Sequence, residues 1–122
     1  MKNAINWFEI QTLDLDRAIQ FYSTILGVEL QKTEAMGESI CMFPFEWNGG
    51  VGGSLVQRAD TKPSTDGTMV LLNADGKLDE VVARIGAAGG QVLAPRIPIG
   101  NNGFIALFID SEGNKVGLHS FT

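Results

Sequence analysis

One cysteine, one histidine and no long apolar run mark what this 122-residue chain does without. With Cys41 alone, no intramolecular disulfide can form, so a reducing compartment is the easiest setting and a cytoplasmic location is expected. No stretch of about 18 apolar residues occurs, so no membrane-spanning helix and no membrane partner are expected. The opening "MKNAINWFEIQTLD" meets polar residues at once and lacks the apolar core of a signal peptide. Basic residues are also few: Lys and Arg number 9 against 14 Asp and Glu, for a net charge of −5. Arg58, Lys62, Lys77, Arg84 and Arg96 are scattered, and without a concentrated basic patch nucleic acid is not an expected partner.

What remains is ordinary globular material, 44% hydrophobic and 19% charged, too apolar for disorder. The length suits a single domain over residues 1–122 that buries roughly two-thirds of its unfolded surface. Two stretches carry helical spacing. In "DLDRAIQFYSTILG", Asp14 is placed to cap, Leu15, Ala18, Ile19, Tyr22, Ile25 and Leu26 recur on one face, and Gly27 stops the helix. "GKLDEVVARIGAAGG" repeats the design with Leu78, Val81, Val82, Ile85 and Ala88, ending at Gly89-Gly90. The pairs Leu15/Leu78, Asp16/Asp79, Gly27/Gly90, Gly37/Gly100 and Leu55/Leu118 all stand 63 residues apart, which argues for internal duplication.

Each half starts with a strand, "NWFEIQ" or "TMVLLNA", and continues after its helix with three more. These are "VELQKTEA", "SICMFPF" and "GGSLVQR" in the first half, and "QVLAPRI", "GFIALFID" and "NKVGLHSF" in the second. The expected fold class is α+β: two βαβββ modules, about 1–60 and 66–122, joined by the polar "ADTKPSTDG". Such a half covers one sheet face with its own helix, while the other must meet the second half or a partner chain. Alternation assigns Phe8 and Ile10 to the helix side and sends Trp7, Glu9 and Gln11 into a cup between the halves. In the last strand Val116 and Leu118 suit the helix side, leaving Gly117 and His119 in the cup. The 63-residue offset adds Ser54 and Val70 as cup positions matching Gly117 and Trp7.

The paired βαβββ plan, the "DLDRAIQFYSTILG" helix and the closing "DSEGNKVGLHS" together resemble the vicinal oxygen chelate superfamily. That group contains glyoxalase I, bleomycin-resistance proteins, fosfomycin-resistance enzymes and extradiol dioxygenases. The resemblance implies a curled mixed sheet around a cup, and a homodimer. Metal-dependent members hold their ion with His, Gln or Glu from the first and last strands of each half. Carried over residue by residue, those positions fall on Trp7, Ser54, Val70 and Gly117, and indole, isopropyl and bare backbone have no lone pairs for a cation. No metal site and no cofactor are therefore expected, although a divalent ion at a site shifted to Glu9 and His119 stays open.

Glu9 and His119 each lie two residues past a lost ligand position, and a carboxylate beside the only imidazole makes a candidate acid–base pair. Each has a structural alternative: a salt bridge to Arg58 or Arg96 for Glu9, and an edge or interface position for His119. Trp7, Phe43, Phe45 and Phe104 are candidate stacking surfaces for a planar ligand, though aromatic rings pack more often than they bind. Gln11, Ser54, Val70 and Gly117 complete the expected lining. "PRIPIGNNGF" reads as a flexible loop over the cup, with Asn101 and Asn102 as hydrogen-bonding groups. Cys41, inside "SICMFPF", reads as a small buried hydrophobe. "NGGVGGS" lacks the Gly-Lys-Ser/Thr ending and following helix of a phosphate loop, and reads as a tight turn. Two functions fit. One is a metal-independent protein that sequesters a small aromatic or cationic molecule, in the manner of resistance proteins. The other is a glyoxalase-like lyase or isomerase in which Glu9 or His119 moves a proton.

Overall fold

The computed structural model describes residues 3–35 and 37–122, so Met1, Lys2 and Met36 of the first module lie outside the described residues. The first module runs β1 (Trp7–Gln11), α1 (Leu15–Leu26), β2 (Lys32–Ala35), β3 (Glu38–Met42) and β4 (Gly52–Val56). The second runs β5 (Leu71–Asn73), α2 (Leu78–Ala88), β6 (Gln91–Pro98), β7 (Phe104–Ile109) and β8 (Lys115–Ser120). Each forms its own four-stranded sheet, in the orders β1-β4-β3-β2 and β5-β8-β7-β6. In both, the first strand lies parallel to the last and the remaining pairs are antiparallel. This is the α+β plan of paired βαβββ modules.

The helices start and stop where their sequences place them. The Asp14 carboxylate accepts the Arg17 N–H at 3.1 Å, and Gly27 ends α1 in the left-handed region at φ 68. Gly89 does the same for α2 at φ 111. Leu15, Ala18, Phe21, Tyr22 and Ile25 from α1 and Leu78, Val81 and Ile85 from α2 are buried. The two helices pack against each other, so one apolar core runs through both modules between their sheets. Rings knit it: Phe21 lies edge-on to Tyr22 with centroids 4.9 Å apart, and Phe21 meets Phe108 at 6.1 Å.

This arrangement has a consequence for the cup. The helix-covered faces of the two modules are turned toward each other within the chain. The opposite face of each sheet is left open, with Trp7, Met42, Leu71 and Leu93 all at least 40% exposed.

The turn between β7 and β8 locks the modules together. The Glu112 side chain is fully buried and accepts the N–H groups of Leu13 (2.9 Å) and Asp14 (2.7 Å) ahead of α1. It also accepts both Arg17 Nε and Nη2, at 2.7 and 3.0 Å. Asp110 accepts the buried Tyr22 hydroxyl at 2.6 Å, and Asn114 donates to the Gln11 carbonyl at 2.8 Å. The "DSEGN" motif is thus a structural staple reaching across the chain.

One element departs from the sequence reading. "PRIPIGNNGF" is not a loop throughout: β6 continues to Pro98, and only Gly100–Asn102 forms a short 3-10 turn. β6 is an edge strand with register shifts between Val92 and Ala94 and between Ala94 and Ile97. Those irregularities accommodate Pro95 and Pro98, which cannot donate to a ladder.

Candidate functional site

The open face of the first sheet is set by strand register. Trp7 pairs with Gly52, Glu9 with Ser54, and Ser54 with Met42 on its other side, so these side chains share one face. The indole of Trp7 lies across Gly52. A Cβ on that glycine would stand 2.5 Å from the indole Cζ3, so only a bare backbone lets the ring lie down on the strand. Phe45 meets Trp7 edge-on at 5.6 Å and lies tilted against Trp47 at 5.2 Å, a residue that is 87% exposed. Phe43, by contrast, is buried in the core against Phe8 and Tyr22, with centroids 5.4 and 5.6 Å away. A cleft of about 1370 Å³ runs between β1 and β5, bordered by Trp7, Glu9, Val70 and Leu71, with Phe43 in its wall.

The second sheet carries the rows Leu71–Gly117–Leu107 and Asn73–His119–Ile105 on its open face. This corrects the placement of Val70. It packs against the core and its carbonyl accepts the Gly117 N–H at 2.9 Å, while Leu71 takes the place beside Gly117 on the open face. The cause is the connection from β5 to α2, Ala74 to Lys77, which is one residue longer than its counterpart Thr12 to Asp14. A one-residue difference turns every side chain of a strand to the other face. The space above Gly117 is filled by Leu71, whose Cγ would lie 2.8 Å from an added Cβ.

Glu9 and His119 are not brought together within the chain. Arg58 holds Glu9 with two bonds, Nη1 to Oε1 at 2.7 Å and Nη2 to Oε2 at 3.0 Å, and also holds both oxygens of Glu38. The Arg58 bond keeps the Glu9 carboxyl below its ordinary range, against a smaller opposing effect of burial. His119 sits on the other sheet, its Nε2 2.7 Å from the Asn102 carbonyl and its ring edge-on to Phe121 at 4.6 Å. An acid–base couple between the two is absent from the single chain because each has a nearer partner.

The remaining expected residues scatter. The Gln11 amide oxygen accepts the Thr61 hydroxyl. Asn101 and Asn102 are exposed in the 3-10 turn. Phe104 is half-buried beneath the Arg96 guanidinium, 4.0 Å from the ring centroid. Cys41 is buried, and burial pushes its thiol up, as befits a core residue. Sequence reasoning missed Leu71, Ile105, Leu107 and Met42 on the open faces. The signal lay in β7: "FIALFI" is apolar on both of its faces, the pattern of a strand covered on both sides.

Comparison with known proteins now places the chain. A family model described as Glyoxalase/Bleomycin resistance protein/Dioxygenase superfamily matches residues 4–118. The chain belongs to this superfamily. Among curated proteins it is 28% identical over 116 residues to the Mycobacterium tuberculosis protein named "Putative glyoxylase CFP32". That match takes in 93% of this chain but only 44% of the relative. A glyoxalase/bleomycin resistance protein from Albidiferax ferrireducens T118 superposes with a TM-score of 0.69 at 17% identity, covering 97% of this chain and 98% of that one. TnmS3, an antibiotic binding protein from Streptomyces sp. CB03234, gives 0.68 at 23% identity over 97% and 95%. Identities this low show the shared fold alone.

The metal-dependent members of the superfamily set a test of donor chemistry. On the open faces of the paired first and last strands this chain presents Trp7 over Gly52, Glu9 beside the buried hydroxyl of Ser54, and Leu71 beside Gly117. Of these side chains only Glu9 and Ser54 carry oxygens, and both Glu9 oxygens are held by Arg58, so the set is poor in donors for a divalent ion. Among the described residues, no group of three or more His, Cys, Asp or Glu side chains is placed to hold a metal elsewhere. No described helix is long and apolar enough to cross a membrane.

Proposed function

We propose that this superfamily member is a metal-independent binding protein that sequesters a small, largely apolar aromatic molecule on its open sheet faces. The observation that carries this reading is the apolar surface at Trp7, Leu71 and Gly117, beside which Ser54 offers only a buried hydroxyl. Trp7 lies flat on Gly52 with Phe45 and Trp47 beside it, and Leu71 fills the space over Gly117. Planar rings gain from offset or edge contacts with such side chains, and a few polar groups at the margin suffice to orient them. The fold likeness to an antibiotic binding protein supports the same reading. The second copy of the chain that the superfamily resemblance implies closes the cup. An acid–base lyase or isomerase would use Glu9 or His119. The Arg58 clamp that favours the ionised form of Glu9 makes it a weaker base, and the two are not brought together to act as a pair.

A thermal-shift screen of planar aromatic compounds, run beside metal analysis of protein purified without chelator, tests the reading. A ligand at a hundred times its Kd adds about 2.7 kcal/mol, a rise in Tm of roughly 8–15 °C for a chain of this size. The rise is expected to persist in EDTA and to quench tryptophan emission. About one transition-metal ion per chain, or turnover of the bound compound, would overturn it.

A further inference from the structure

The end of the second sheet holds a smaller cavity, about 520 Å³, whose lining combines apolar residues such as Leu71, Ile99, Ile105 and Phe121 with Asn73, Asp75 and His119. Its size falls within the range of small-molecule sites. Most of this lining is apolar; of its polar groups, Asp75 has Oδ1 taken by the Phe121 N–H and the Ser120 hydroxyl, and His119 carries an assignable proton. Its Nε2 lies 2.7 Å from the backbone carbonyl of Asn102, and a carbonyl can only accept. The Nε2 atom must therefore carry the hydrogen, which leaves the lone pair of the neutral ring on Nδ1. Among the described residues none donates to Nδ1. The ring is also held in place, by the Asn102 bond on one side and by Phe121, edge-on at 87°, on the other. The Phe121 backbone is itself tied down, its N–H donated to Asp75 Oδ1 at 2.7 Å. Asn73 already gives its amide oxygen to the Asp75 N–H at 2.9 Å, so that oxygen is engaged within the chain.

We propose that this cavity is a selectivity subsite in which His119 Nδ1 accepts a hydrogen bond from a hydroxyl or N–H group on an otherwise apolar aromatic ligand. The proposal rests on the sequestering reading above and narrows it to ligands that carry a donor. A fixed acceptor that the ligand covers discriminates because a ligand without the donor leaves that acceptor unpaired once bound. The role assigned to His119 is recognition and involves no proton transfer.

The probes are 2-naphthol and its methyl ether, 2-methoxynaphthalene, which share an apolar body and differ in the donor. Calorimetric titration of the wild type is expected to show the naphthol binding about three- to tenfold more tightly, the usual worth of one hydrogen bond. His119→Gln keeps a donor able to reach the Asn102 carbonyl and removes the Nδ1 acceptor. It should abolish the preference by weakening the naphthol alone, and His119→Phe should do the same if its circular dichroism is unchanged. Equal binding of both probes to the wild type, a preference that survives in both variants, or binding of neither probe would overturn the subsite. If both probes bind equally and Trp7→Ala weakens both, the donor preference fails while sequestration stands. Independently of any ligand, long-range nitrogen–proton spectra of the imidazole are expected to show the proton on Nε2. The opposite tautomer would remove the proposal's basis.

Discussion

At the scale of single residues, glycine does the most to shape the candidate site. Gly52 and Gly117 lie at different places in the last strands of the two modules, but each lies under a neighbour's side chain, Trp7 or Leu71. Only Gly117 was legible in the sequence as a position without ligand atoms. That neighbouring apolar groups occupy the space both glycines leave was not, since that depends on which way the adjacent strand faces. Gly52→Ala tests the indole's seat. The new methyl would stand 2.5 Å from Trp7 and 2.9 Å from Phe45, so the aromatic group must lift off the strand. A loss of about 1–3 kcal/mol is expected from such overpacking, read from the urea midpoint, with a red shift of tryptophan emission. An unchanged midpoint and spectrum would mean that the ring does not rest there.

At the scale of elements, the helices and the duplication could be read directly, because caps, stops and apolar spacing are local properties. Leu15 and Leu78, Tyr22 and Ile85, and Leu55 and Leu118 are all buried, as the 63-residue offset requires. The offset fails at β5, where one extra residue before α2 turns Val70 inward and Leu71 outward. No sequence signal marks where a three-residue strand ends, so that slip was invisible. The "DSEGN" turn was legible as a motif but not as a staple between modules, since its partners lie 88 to 103 residues away. Its acid dependence can be stated. Burial pushes the Glu112 carboxyl up, but the bonds from Arg17, Asp14, Ser111 and Leu13 outweigh this and hold it below 4.5. A carboxyl that titrates lower in the folded state contributes stability that is complete above its unfolded value and is lost as pH falls through the folded one. Glu112→Gln places an amide among donors and should cost about 3 kcal/mol at pH 7. The gap to the wild type should narrow as the pH drops below about 4.5. Denaturant titrations at pH 7 and pH 3 check this, and a gap independent of pH would argue against an ionised Glu112.

At the scale of the molecule, the chain looks like one part of a larger object. Its helices and one face of each sheet form a complete core, yet the other faces expose Trp7, Met42, Leu71 and Leu93. β7 is the clearest sign: Ala106 and Phe108 are buried in the core, while Ile105, Leu107 and Ile109 on its other face are only half-covered. Exposed apolar surface of this kind marks a contact site. The second copy of this chain proposed above would supply the layer that each open face lacks. The expected result by light scattering on a sizing column is twice the chain mass at micromolar concentration. Leu71→Asp and Met42→Asp introduce a charge on each open face, at side chains about 40% exposed in the single chain. Little cost to the chain's own fold follows, but in a dimer the same charge would be buried without a partner, which is expensive. Both variants should therefore run at the mass of one chain with unchanged circular dichroism, and should lose the aromatic ligand because the cup is no longer closed. A wild type that stays monomeric at tens of micromolar would show that the open faces are finished surfaces, with any ligand held by one sheet alone.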